Sequence, residues 1–189
     1  MWFEPSTFPD IFPLFGSVHN VGFRKPPGGK KGSTKHVLND HSYCHRSDMD
    51  VVKCKKWHEE FISTRTKNAE KLGIPFFLTE FGACYDQYSC EPTINNVTGI
   101  ADEYLTSWAY YQYKPFNGDF TTIARGNPEG FWNQDGSLQE YKVKALSRSY
   151  MPFTQGNLTS VNFNPSTAAF TAEFTYSAAA TAVTVVYLN

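Results

Sequence analysis

Apolar positions recur along the chain at two different periods, and the change falls near residue 152. Val51, Cys54, Trp57, Phe61, Ile62, Ala69 and Leu72 are spaced by threes, fours and seven, which predicts an amphipathic helix. Ser47, with Asp50 three residues on, is a variant capping box that would open this helix, and Gly73 would end it. Ile94, Val97, Ile100, Ala101, Tyr104 and Leu105 predict a second helix, and Leu138, Ala145 and Leu146 a third, from about Leu138 to Tyr150. Ile74 to Thr79 is apolar almost without a break and ends at Glu80-Phe81-Gly82, as expected of a buried parallel strand. Trp2-Phe3, His36 to Tyr43 and Trp108 to Tyr113 predict three more strands. Strands alternating with helices imply an α/β fold with a parallel sheet. Beyond Pro152 the period is two: Val161 and Phe163, then Phe170, Ala172, Phe174 and Tyr176, then Val183, Val185 and Tyr187. That is antiparallel β structure, the expected start of a β-sandwich. The expected domains are therefore residues 1–151 and 152–189.

The 189 residues suit one domain, or a domain and a part. A net charge of −1 leaves no electrostatic footprint for nucleic acid, and no apolar run approaches the ~20 residues that span a bilayer. Residues 1–35, with Pro26-Pro27-Gly28-Gly29, read as a short strand and a long loop. Cys44, Cys54, Cys84 and Cys90 lack a Cys-x-x-Cys spacing, so a zinc knuckle is not expected, and nothing suggests another metal or an organic cofactor. Four cysteines allow three pairings; the local ones, 44–54 and 84–90, are expected because they close small loops. The even count and the sequons at Asn96 and Asn157 favour a secreted or lysosomal protein. Met-Trp-Phe-Glu-Pro is no signal peptide, so the chain is expected to be a segment of something longer.

Glu80 is the sharpest chemical feature. A carboxylate following an apolar parallel strand stands where barrel enzymes keep catalytic groups. Leu78-Thr79-Glu80-Phe81-Gly82 resembles the end of the seventh strand in glycoside hydrolase family 5, where the glutamate is the nucleophile. His41-Ser42-Tyr43 resembles the family's preceding strand, with His41 facing the sugar and Tyr43 holding the nucleophile ionised and oriented. Ser107 to Lys114 resembles the eighth strand, which implies substrate contacts from Trp108, Tyr111 and Gln112. Tyr111 stands where the family usually carries a tryptophan platform, and Trp108 has a competing reading as core.

Trp2-Phe3-Glu4-Pro5, Pro27-Gly28-Gly29, Trp132 to Gln139 and Lys144 to Tyr150 resemble the endoglycoceramidase branch of that family. The resemblance implies strands five to eight of a (β/α)8 barrel, a TIM barrel, followed by the start of a β-sandwich. It implies retaining hydrolysis of the bond between glycan and ceramide in glycosphingolipids, with no cofactor, and peripheral membrane contact through the lipid substrate. The loop from Phe8 to Lys35, with Phe12, Phe15 and Phe23, is a candidate shelter for lipid. The family's acid/base glutamate follows an asparagine on strand four, whereas Glu4 follows Phe3 on the expected strand five. The acid/base is therefore expected to lie outside this chain, and the chain alone is expected to be inactive. The alternative function is a non-catalytic carbohydrate- or glycolipid-binding fragment.

Overall fold

The computed structural model describes residues 1–5, 18–44, 50–82, 84, 87–114, 129–133, 135–176, 178–179 and 183–189. Ser47, Phe8, Phe12 and Phe15 lie outside them. Four strands, β1 (Trp2–Phe3), β2 (Val37–Ser42), β3 (Phe76–Phe81) and β4 (Ser107–Trp108), form one parallel sheet in sequence order. Helix α1 (Val51–Leu72) connects β2 to β3, and α2 (Gln87–Glu103) connects β3 to β4. Both connections are the crossovers that parallel neighbours require. Helix α3 (Glu140–Leu146) packs on α2.

Helix α1 begins at Asp50, whose side chain accepts from the Lys53 backbone N–H at 2.8 Å. The cap is thus the second acidic residue of the expected box. Gly73 ends the helix at φ 66°, a left-handed conformation that favours glycine, and its N–H returns to the carbonyls of the last turn. The buried stripe of α1 includes Trp57, Phe61, Ile62, Ala69 and Leu72, which pack with Leu38, Phe76, Leu78 and Phe81 of the sheet.

The same stripe carries His58 and Arg65, which the apolar count passes over. Each meets a polar side chain of β2. Ser42 Oγ and His58 Nδ1 are hydrogen-bonded at 2.7 Å, and Arg65 Nε donates to Asp40 Oδ2. Arg65 and Asp40 are both fully buried. Burial is the larger influence on Asp40 and pushes its carboxyl up to about 6, while Arg65 pulls the other way.

Two expected elements are corrected in extent. The strand read from Trp108 to Tyr113 is paired only over Ser107–Trp108, with one further parallel bridge from Tyr111 to Gly82. The third helix spans Glu140–Leu146: Leu138 bridges Trp132 across the Asp135-Gly136 turn, and Tyr150 already belongs to a strand. That strand, β5 (Tyr150–Phe153), pairs antiparallel with β8 (Val185–Tyr187). β6 (Gly156–Phe163) and β7 (Phe170–Tyr176) make a second antiparallel pair. Arg148 ties this section to α2: its guanidinium lies 4.6 Å over the Phe163 ring and donates to Asp102.

Cys44 is bonded to Cys54 and Cys84 to Cys90, the local pairing expected. The first disulfide joins the end of β2 to the first turn of α1; the second joins the segment after β3 to α2. Asn157 is exposed on β6, whereas Asn96 is half-buried in α2 and Thr98 of its sequon is fully buried.

Candidate active site

Side chains alternate between the faces of a strand. On β2, Leu38, Asp40 and Ser42 face the helices, so Asn39 and His41 face the other way. On β3 this alternation is interrupted. Asp40 pairs with Leu78 but His41 pairs with Glu80, which leaves Thr79 as an extra residue. The irregularity lets Thr79 and Glu80 project consecutively on the face of Asn39 and His41. Thr79 Oγ1 accepts from Asn39 Nδ2 at 3.3 Å, and Glu80 meets His41. A bulge that re-aims a side chain is a recurrent device beside active sites.

Glu80 is held from one side only. Tyr43 Oη donates to Glu80 Oε2 at 2.8 Å, and His41 Nδ1 stands 3.2 Å from the same oxygen. Among the described residues no donor reaches Oε1. Burial, followed by the Glu80 charge, pushes the Tyr43 hydroxyl well above its ordinary range, so it remains a proton donor at any pH the fold tolerates. The arrangement fixes the Glu80 side chain in place through Oε2 and leaves Oε1 without a partner among the described residues.

Tyr111 bridges Gly82 just past β3, and its phenol acts electrostatically on Tyr43, which brings it to the same site. Gln112, next in the chain, is buried. Trp108 is a correction. It pairs with Leu78, shares that residue's helix-facing side and packs edge-on against Phe81 at 5.6 Å between ring centroids. It lies across the sheet from Glu80, half-buried against the core. The phase of one bulge and one short strand decides this, and composition carries no trace of it. A cavity of about 710 Å³ beside Trp108, lined also by Arg148, Tyr150 and Tyr187, opens on that same side and includes none of Glu80, His41 or Tyr43.

Three further residues stand at the site: Asn39 and Glu129, not singled out in the sequence, and Glu4, weighed there only as an acid/base. Glu4 and Asn39 join His41 on the Glu80 face: Asn39 Nδ2 donates to Glu4 Oε2 at 3.0 Å, and His41 Nε2 is 3.6 Å from that oxygen. Asn39 sits in a strand whose alternation does mark its face, so that signal was available. Glu129 gives no such signal. It is buried, and its carboxylate lies close to Gly82 and near enough to Tyr43 to influence it. Its carbonyl accepts from Tyr110 Oη at 2.9 Å and from Lys142 Nζ at 3.1 Å, and Gln139 Nε2 holds the next carbonyl at 3.0 Å.

Two predictions arise here. An ideal Cβ on Gly82 falls 2.5 Å from the Tyr111 carbonyl oxygen and 3.1 Å from Glu129 Oε1, and its φ is 150°. Gly82→Ala is therefore expected to destabilise the fold by about 1–3 kcal/mol, measured by urea unfolding. Lys142 is fully buried, and burial lowers its pKa from the ordinary 10.5 to about 8, with Glu129 acting in the opposite sense. Between those values the unfolded chain binds more protons than the folded one, so stability rises with pH from about 8 to 10.5. Urea midpoints across that window should rise in the wild type relative to Lys142→Met.

No curated protein matches this chain. Solved structures of endo-glycoceramidase II from Rhodococcus sp. do, both as the lactosyl-enzyme intermediate and in complex with ganglioside GM3. Each superposes with a TM-score of 0.72 at 19% identity, covering 99% of this chain and 39% of theirs. The likeness is one of fold, and it makes the parallel sheet and its crossover helices a TIM-barrel-type α/β arrangement. The chain spans well under half the length of the structures it matches. The family model for cellulase, glycosyl hydrolase family 5, matches residues 15–117, more than half of the chain and the stretch that contains His41, Tyr43, Glu80 and Tyr111. By that match this chain, whose second long strand delivers a half-held glutamate to an open face, belongs to glycosyl hydrolase family 5.

Proposed function

We propose that this chain carries the nucleophile side of a retaining glycosidase that cleaves the bond between glycan and ceramide in glycosphingolipids. The observation that carries the reading is the one-sided hold on Glu80, with Oε2 engaged by Tyr43 and His41 and no donor on Oε1 among the described residues. Oε1 attacks the anomeric carbon; the C–O bond to Glu80 forms as the glycosidic C–O bond breaks. Water then releases the sugar with its original configuration. The leaving oxygen needs a proton from an acid that we place outside these 189 residues.

In this reading β1 to β4 are strands five to eight of a (β/α)8 barrel, with residues 1–151 its second half and 152–189 the start of a β-sandwich. The 39% coverage of the endo-glycoceramidase II structures supports it. Their ligands, a lactosyl group and ganglioside GM3, support a glycolipid substrate. Contact with a membrane would then be peripheral and through that substrate; among the described residues no helix is long and apolar enough to cross one. Two disulfides and the exposed sequon at Asn157 support a secreted or lysosomal setting, with a glycan at Asn157.

The test separates attack from protonation. Dinitrophenolate is a stable anion that leaves without a proton, so a dinitrophenyl β-lactoside bypasses the missing acid. With fluorine replacing the hydroxyl beside the anomeric carbon, the glycosyl-enzyme persists and a stoichiometric burst of dinitrophenolate is expected. Lactosylceramide micelles should slow that burst, while intact lactosylceramide is not cleaved by the chain alone. No burst contradicts the retaining reading; a burst slowed equally by cello-oligosaccharides contradicts the glycolipid reading.

A further inference from the structure

We propose that Glu4 is a substrate-binding residue of this site, accepting a hydroxyl of the sugar seated against Glu80. The proposal rests on the nucleophile reading above. Parallel register brings Glu4, one residue past β1, level with Asn39, one past the Phe3–Leu38 pair. Its Oε2 is then pinned by the Asn39 amide at 3.0 Å, while the same amide reaches Thr79 of β3. One imidazole separates the two carboxylates: His41 Nε2 faces Glu4 at 3.6 Å and its Nδ1 faces Glu80 at 3.2 Å. Glu4 therefore stands on the reacting face, one ring away from the nucleophile.

Its surroundings suit a ligand better than a structural role. Two structural carboxylates, Asp40 and Asp102, are each closed by an arginine. Glu4 has no such partner among the described residues. Its side chain is 34% exposed, close to the 30% of Glu80, and Oε1 accepts no hydrogen bond there. The gap between Nε2 and Oε2 is too wide for a direct bond, which leaves room for a hydroxyl to donate to Glu4. Two neighbouring carboxylates repel anions and call for a hydrogen-bond donor, and beside Glu80 in the nucleophile reading that donor is an O–H of the sugar ring. A hydrogen bond to an ionised group is among the stronger ones, and losing it should slow the reaction by about 10–100-fold.

The experiment uses the 189-residue chain and the fluorinated dinitrophenyl lactoside, together with analogues each lacking one further hydroxyl. Trapping rates are measured for wild type, Glu4→Ala and Glu4→Gln. One hydroxyl is expected whose removal slows the wild type by about 10–100-fold and has no further effect in Glu4→Ala, with Glu4→Gln between them because its amide oxygen still accepts. If Glu4→Ala, or Glu4→Gln should the alanine variant not fold, slows every analogue equally or none, the proposal is overturned while the nucleophile reading stands. A wild-type chain that is never trapped overturns both.

Discussion

Glu80→Gln is expected to abolish trapping by the activated fluoro-lactoside, a loss of about 10³-fold or more, with the urea midpoint unchanged within about 0.5 kcal/mol. The substitution keeps the shape of the side chain and leaves an oxygen to accept from Tyr43. What it removes is the carboxylate and its nucleophilic lone pair on the unheld oxygen, and among the described residues no other group stands at that point of attack. Glu4 is displaced from the site of attack by the width of His41, and Glu129 is buried behind Gly82. Glutamine therefore separates the chemical from the structural role of the position: a variant that unfolds, or one that still traps sugar, would each contradict the assignment. Tyr43→Phe should give a smaller loss, because His41 still meets Oε2 once the phenol is gone.

Arg65→Met carries the largest expected effect on stability, about 3–5 kcal/mol near neutral pH. Asp40 and Arg65 are both fully buried, and the substitution leaves the carboxylate enclosed with its charge unopposed. The backbone N–H of His41 still donates to Asp40 Oδ1 at 2.8 Å, which is too little to stabilise a charge inside the fold. The loss has a pH signature. Burial already raises Asp40 to about 6 with Arg65 opposing it, so removing Arg65 raises it further. Below the new value Asp40 is protonated and neutral in the variant, and the penalty shrinks; urea unfolding at pH 5 should show a smaller deficit than at pH 7.5. The pair also borders the register shift between Asp40 and His41, so trapping by Arg65→Met should fall together with its stability.

Where the hydrophobic signal was continuous, the sequence and the structure agree closely. The stripe of α1 and the apolar β3 lie where the pattern puts them, because each depends on burial of apolar side chains along a regular repeat, and the Gly73 stop follows from its left-handed backbone. The departures come from polar groups and from register. Asp40 and His41 are adjacent polar residues with opposite fates, one sealed against Arg65 and the other open beside Glu80, and only strand phase distinguishes them. Thr79 adds a residue to β3 that no periodicity reveals, and it is what turns Glu80 toward His41. Trp108 followed the same logic in reverse: an aromatic in a promising motif, turned to the helices by its pairing with Leu78. Glu129 arrives beside Gly82 from nearly fifty residues away, carried by the Lys142 and Gln139 hydrogen bonds, and a long-range approach of that kind leaves no local trace.

Whether Glu80 forms the bond to sugar is measured most directly by peptide mass mapping of the wild-type chain after trapping with the fluorinated dinitrophenyl lactoside. A fluoro-lactosyl mass increment is expected on the peptide containing Leu78-Thr79-Glu80-Phe81-Gly82, located by fragmentation to Glu80 and absent from Glu80→Gln. An increment carried instead by Glu4 or Glu129, or one that persists in Glu80→Gln, would contradict the assignment of Glu80.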